Sequence, residues 1–148
     1  MSSIEFTTSV HVFRPLEDVF AYAADPCTFP DWNSAVESVV ATSPSGPAAG
    51  ARYVMSRQLP DGRASNELEI VSWAAPSDFT IRTTSGPTPF VYRYSFTPAD
   101  GGTLVTLVAE VDLGVPGFMQ PLVARGVKRG VDANFSTLRA ILERGGGG

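Results

Sequence analysis

Histidine and cysteine are almost missing from this sequence, which holds one of each, His11 and Cys27, among 148 residues. One cysteine excludes an internal disulfide and suits a reducing compartment. A histidine- or cysteine-based metal centre lacks its ligands, and nothing in the sequence implies a cofactor. Positive charge is also scarce: 11 Lys and Arg stand against 15 Asp and Glu, a formal net charge of −4 with a pI near 4.9. That balance argues against nucleic acid as a partner, because binding it requires a basic face. No apolar run approaches the ~18 residues of a membrane helix, so no membrane insertion is expected. The start, Met1-Ser2-Ser3-Ile4-Glu5, has neither a basic nor an apolar leader region, and the expected location is cytoplasmic.

What is present is the composition of a globular domain, with 43% hydrophobic and 18% charged residues. Residues 1–144 read as one domain, and Gly145 to Gly148 as a flexible tail. Ile4 to Phe13 alternates with period two, the signature of a strand with one buried face. Pro15 then opens a helix with Glu17 and Asp18 in its first turn and an apolar stripe of Leu16, Val19, Phe20 and Ala23, stopped at Asp25-Pro26. Thr28 and Asp31 resemble a capping pair for a second short helix that carries Trp32.

From Val36 the pattern changes to strands separated by turns: Val36–Ala41, Ala51–Leu59, Ala64–Trp73, Phe79–Thr84, Phe90–Thr97 and Gly102–Leu113. The intervening loop Ser43-Pro44-Ser45-Gly46-Pro47 and turn Pro60-Asp61-Gly62-Arg63 carry standard turn chemistry. Short turns between successive strands predict an antiparallel meander of seven strands. After Gly117 the period becomes helical, with Leu122, Val123, Val127, Val131, Phe135, Leu138 and Leu142 on one stripe up to Arg144. The sheet's apolar face must pack on that stripe, which makes the fold α+β.

This order of elements resembles the helix-grip fold of the START-like (SRPBCC) superfamily, in its polyketide cyclase/dehydrase-like branch. The resemblance rests on Val10-His11-Val12-Phe13-Arg14-Pro15 leading into Val19-Phe20, on Asp25-Pro26 and Pro30-Asp31-Trp32, and on Ile70 with Ala75-Pro76. Tyr94-Ser95-Phe96-Thr97-Pro98 and Gly102-Thr103-Leu104-Val105-Thr106 complete it. It implies a bent seven-stranded antiparallel sheet, two short helices after the first strand, and a long C-terminal helix over the concave face. It also implies a cavity between sheet and helix.

Strand parity then says which side chains face inward. The more apolar parity contains Phe6, Thr8, Val10 and Val12, then Tyr53, Met55 and Arg57, then Leu68, Ile70 and Ser72. It continues with Phe79, Ile81, Thr83, Phe90, Tyr92, Tyr94, Phe96, Val105, Leu107, Ala109, Val111 and Leu113. Val71 and Trp73 oppose Leu68 and Ile70, so a slip or bulge in that strand would turn Glu67 and Glu69 inward. Otherwise the interior holds no carboxylate and no imidazole, an inventory for binding rather than for acid–base work.

The expected ligand site comprises Trp32, Tyr53, Met55, Ile70, Ile81, Phe90, Tyr92, Tyr94, Leu107, Ala109, Val127, Gly130 and Asn134. The only candidates for catalysis are Tyr53, Arg57, Tyr92 and Tyr94. The phenols either touch a ligand or are core aromatics with backbone or water partners. Arg57 either holds a carboxylate or enolate, or reaches solvent or Glu67 across the hairpin. Trp32 gates the pocket or anchors the short helix. Gly126 and Gly130, four apart on one helix face, leave room for ligand or permit close helix–sheet approach, and Asn134 continues that face. His11 is expected to be solvated and Cys27 to be a small buried hydrophobe. The expected partner is a small hydrophobic molecule of polyketide, lipid or isoprenoid type. A cyclase, aromatase or dehydratase and a protein-interaction module are the alternatives, and the oligomeric state is open.

Overall fold

The computed structural model describes residues 3–44, 46–59 and 62–145; Ser45, Pro60 and Asp61 of the expected turns and Gly146 to Gly148 of the expected tail lie outside them. Its strands are β1 (Ser3–Val12), β2 (Val36–Ala41), β3 (Arg52–Leu59), β4 (Gly62–Ala74), β5 (Asp78–Ser85), β6 (Phe90–Ala99) and β7 (Gly102–Asp112). They form one sheet in the order β1-β7-β6-β5-β4-β3-β2, with every neighbouring pair antiparallel. The first strand returns to pair with the last, which leaves β1 and β2 as the two edges.

Helix α1 (Leu16–Ala23) starts after Pro15, carries Glu17 and Asp18 in its first turn, and buries Val19, Phe20 and Ala23. Phe20 anchors it edge-on to Trp73, Phe79 and Phe96 at ring-centroid distances of 4.9, 6.2 and 5.1 Å. A 3₁₀ turn (Pro26–Thr28) and the short helix α2 (Phe29–Trp32) follow. The expected Thr28–Asp31 cap does not form. Asp25 instead accepts from the Cys27 amide at 3.0 Å, and Thr28 donates to the Tyr22 and Asp25 carbonyls at 2.8 Å each. Asp31 accepts from the Tyr22 hydroxyl at 2.9 Å. A 3₁₀ turn (Gly117–Met119) leads into α3 (Gln120–Gly145), which takes in the first of the four terminal glycines.

Helix α3 packs along β1, and its contact is uneven. Phe135, Leu138 and Leu142 in the C-terminal half are buried, Val123, Val127 and Val131 are half-buried, and Leu122 is 70% exposed. Leu122 is therefore not part of the packed stripe that its spacing predicts. The Thr8 hydroxyl, itself buried, donates to Asp132, whose other oxygen accepts from Lys128 Nζ at 3.1 Å. That clamp fixes the middle of α3 to the edge strand and holds the Asp132 carboxyl below its usual pKa, chiefly through the Thr8 bond.

The expected irregularity in the fourth strand is a bulge at Val71, where pairing jumps from Ile70↔Ile81 to Ser72↔Thr80. It lies beyond Glu67 and Glu69, which stay outside: Glu69 pairs with Arg52 and Arg82 at 3.4 and 3.0 Å, and Glu67 accepts from Ser85 at 2.8 Å. The flip falls instead on the next residues. Ser72, assigned inward by simple alternation, is exposed, and Trp73 joins the core against Phe79. Two other expectations fail locally. Cys27 is exposed. His11 is half-buried, with Nε2 2.7 Å from the Ala99 carbonyl, because the β6–β7 turn folds over it.

Candidate functional site

The sheet, α2 and the N-terminal half of α3 enclose a cavity of about 260 Å³. Phe29, Trp32 and Val36 wall it beside α2, Met55 and Arg57 come from β3, and Phe90, Tyr92 and Tyr94 come from β6. Val111 and Leu113 close one side, Thr88 stands in the β5–β6 loop, and Gly126, Val127, Gly130, Val131 and Asn134 form the helical wall. Period two puts Phe90, Tyr92 and Tyr94 on one face, and the helical repeat does the same for 126/130/134 and 127/131.

Of the expected site residues, the fold brings together Trp32, Met55, Phe90, Tyr92, Tyr94, Val127, Gly130 and Asn134, with Arg57 among them. It does not bring Tyr53, Ile70, Ile81, Leu107 or Ala109 to that cavity; they are 0–3% exposed and fill the packed core. Tyr53 lies further along the same strand face, near Asp25 and Cys27, and burial with those neighbours pushes its pKa up to about 12.

The helix glycines resolve in favour of space. A Cβ built on Gly126 or Gly130 meets no atom within 4 Å, so close approach to the sheet is not what they provide. Asn134 Oδ1 accepts from the Ser34 amide at 3.2 Å and its hydroxyl at 3.4 Å, tying α3 to the segment between α2 and β2. Trp32, 4% exposed, packs on Phe29 and Phe135 at centroid distances of 5.4 and 6.3 Å and forms wall, not lid.

The polar end of the cavity is built around a residue that the sequence reading passed over. Asn66 is fully buried. Its Oδ1 accepts from Arg57 Nε at 2.9 Å, and its Nδ2 donates to the Ser85 and Pro87 carbonyls at 3.1 and 2.9 Å. Arg57 Nη2 also donates to the Pro87 carbonyl, at 2.7 Å. Arg57 thus does not pair with Glu67; half-buried, it is braced by its neighbours, and Nη1 has no partner among the described residues. Gly86 makes this possible: its φ is +98°, and a Cβ there would strike the Ser65 carbonyl and the Asn66 amide. The signal for Asn66 was available, since it precedes Leu68 and Ile70 at the same parity.

Tyr92 stacks on Phe90 at 4.2 Å and stands edge-on to Tyr94 at 6.2 Å. Burial pushes Tyr92 up to about 12, with Arg57 pulling the other way, and raises Tyr94 further. Burial also lowers the pKa of Arg57, and Tyr92 beside it partly offsets that. Near neutral pH the end wall is therefore two protonated phenols and a guanidinium, all donors. Neither phenol has a hydrogen-bond partner among the described residues. None of the described residues lining the cavity is acidic or a histidine, and no group of acidic, histidine or cysteine side chains among the described residues could hold a metal ion.

Residues 3–143 match the family model for polyketide cyclase/dehydrase and lipid transport. The chain belongs to that family. Solved structures agree on the fold. The protein TTHA0849 from Thermus thermophilus superposes with a TM-score of 0.79 at 19% identity, over 94% of this chain and 97% of that one. A START superfamily protein from Mycobacterium smegmatis gives 0.79 at 16% identity, over 95% and 97%. The di-domain ARO/CYC protein StfQ of the steffimycin biosynthetic pathway gives 0.78 at 15% identity; this family member covers 99% of itself and 53% of StfQ. At such identities the likeness is one of fold. No curated protein matches the chain significantly. No helix among the described residues is long and apolar enough to cross a membrane.

Proposed function

We propose that the protein binds one small hydrophobic molecule carrying an oxygen at one end, seated in the cavity between sheet and α3. One observation carries this reading. An apolar hollow of about 260 Å³ ends in Arg57, Tyr92 and Tyr94, whose remaining donors have no partner among the described residues. A carbonyl, enol or phenol oxygen would meet three donors, while rings or an isoprenoid chain would lie against Trp32, Met55 and Val127. The volume, about 260 Å³, falls just below the usual span of ligand cavities, roughly 300–1,000 Å³, and favours a ligand of a few rings over a long-chain lipid. The family description supports this class of ligand.

The test is gentle purification followed by native mass spectrometry and solvent extraction, with displacement of a fluorescent hydrophobic probe as the binding assay. Saturable one-to-one binding that weakens about fivefold or more in Tyr92→Phe and Arg57→Gln is the expected result. Failure to bind across polyketide, lipid and isoprenoid libraries would overturn it.

A cyclase or dehydratase reading has one observation in its favour: the same three donors are preorganised where an enolate would develop negative charge. With both phenols held far above neutral pH, neither serves as a base there, so the protein's part would be orientation and charge stabilisation. Turnover of a poly-β-ketone surrogate, with kcat falling in Arg57→Gln while KM stays level, would establish it.

A further inference from the structure

The face of α3 that walls the cavity does not end with the cavity. Leu122 lies four residues before Gly126 and eight before Gly130, on the same helical row, yet it is 70% exposed. Just ahead of it, Phe118 is 85% and Met119 39% exposed, so half of the large apolar side chains left in solvent among the described residues fall within five residues of one another. On α3, Arg125 and Arg129 follow Leu122 at i, i+3 and i+7 as one exposed stripe, and Phe118 and Met119 stand in the 3₁₀ turn just ahead of it. Neither arginine has a carboxylate partner among the described residues. In a chain of net charge −4, residues 113–131 contain Arg125, Lys128 and Arg129 and no acidic residue. The flanking acids, Asp112 and Asp132, are engaged with the Gly114 amide and with Thr8 and Lys128.

We propose that this end of α3 docks peripherally on an anionic lipid surface, with Phe118, Met119 and Leu122 entering the interface and Arg125 and Arg129 facing the headgroups. Apolar residues flanked by arginines on one helical ridge match the interfacial geometry of a helix lying on a bilayer. The charge selects this occupant over a second copy of the chain, because residues 113–131 of a second copy offer no carboxylate to these arginines. A stable protein interface needs on the order of 800 Å² per partner, whereas a bilayer needs no matched surface. Docking in this orientation brings the row of Gly126 and Gly130, and so the cavity wall, next to the lipid, where a hydrophobic molecule could pass between them without crossing water.

The test is co-sedimentation of the full chain with phosphatidylglycerol-rich vesicles against pure phosphatidylcholine vesicles, without added ligand, so that it is independent of what the cavity holds. Binding to the anionic vesicles, weakening as salt rises, is expected. Arg125→Gln/Arg129→Gln should lower partitioning about 30-fold, and Phe118→Ser/Leu122→Ser at least about tenfold. Both pairs are exposed, and unchanged circular dichroism verifies the fold. The proposal is overturned by absence of binding to phosphatidylglycerol, by equal binding to phosphatidylcholine, or by either double variant binding like the parent. A dimer that depends on Phe118 and Leu122, with no vesicle binding, would overturn it in favour of self-association.

Discussion

Asn66 has no exposed surface and three hydrogen bonds, to Arg57, Ser85 and Pro87. Exchanging it for leucine keeps the volume and orphans all three partners, and a buried polar group left unpaired costs about 1–3 kcal/mol. Asn66→Leu should therefore lower the urea unfolding free energy by about 2–3 kcal/mol, whereas an exposed exchange such as Ser65→Ala should leave it unchanged. The tyrosines give a second test. All four, Tyr22, Tyr53, Tyr92 and Tyr94, are raised above the ordinary 10.0, by burial first in each case. A phenol whose folded pKa lies above its unfolded one contributes stability that is fully present below the unfolded value and is lost as pH rises through the folded one. Stability should therefore hold up to about pH 10 and fall from there toward about pH 12. A spectrophotometric titration of the native protein should show no phenolate at the ordinary value; one tyrosine ionising near 10.0 would contradict this. Parity alone pointed to Arg57, Tyr92 and Tyr94 as inward residues. It did not show that Asn66 occupies Arg57 from behind, because a side chain's hydrogen bonds depend on the loop carrying Gly86 and Pro87, which arrives from elsewhere in the chain.

At the scale of elements, period and turn chemistry located all seven strands and three helices to within a few residues, since each segment's apolar spacing agrees with its place in the fold. The departures lie where spacing carries no register. Period two extended through Ile70 places Ser72 inside; the bulge at Val71 puts Trp73 there instead, against Phe20 and Phe79. Deleting Val71 removes the extra residue and leaves regular alternation, with Ile70 inside, Ser72 outside and Trp73 still inside opposite Phe79. The deletion should therefore leave tryptophan emission unshifted, as should Val71→Thr, which keeps the bulge. A red shift in the deletion would mean that Trp73 leaves the core and that Val71 is not the extra residue. In α3 the apolar stripe reads as continuous, yet full burial begins only at Phe135: Ala124, Val127 and Val131 pack partly against the core and Leu122 stays exposed, while the Thr8–Asp132 clamp and Phe135 fix the helix from its middle onward.

For the molecule as a whole, the cavity is a packing deficit placed where α3 carries Gly126 and Gly130 instead of side chains, and that deficit sets function against stability. Spacing marked the two glycines but left two meanings open, ligand room or close approach, and only the open space around both positions separates them. A leucine at 130 would gain helix propensity of about 1 kcal/mol over glycine and would cover apolar wall now facing a void. If the hollow exists to hold a ligand, Gly130→Leu should raise Tm by about 3–5 °C and abolish binding of the hydrophobic probe. The parent should show the reverse linkage: a ligand at a hundred times its Kd adds about 2.7 kcal/mol, which the variant cannot recover. Thermal unfolding of both proteins with and without ligand separates the cases. A variant that is stabilised yet still shifted by ligand would place the binding site elsewhere, and one that is destabilised would mean that the helix is already packed at Gly130 and that the hollow is not there.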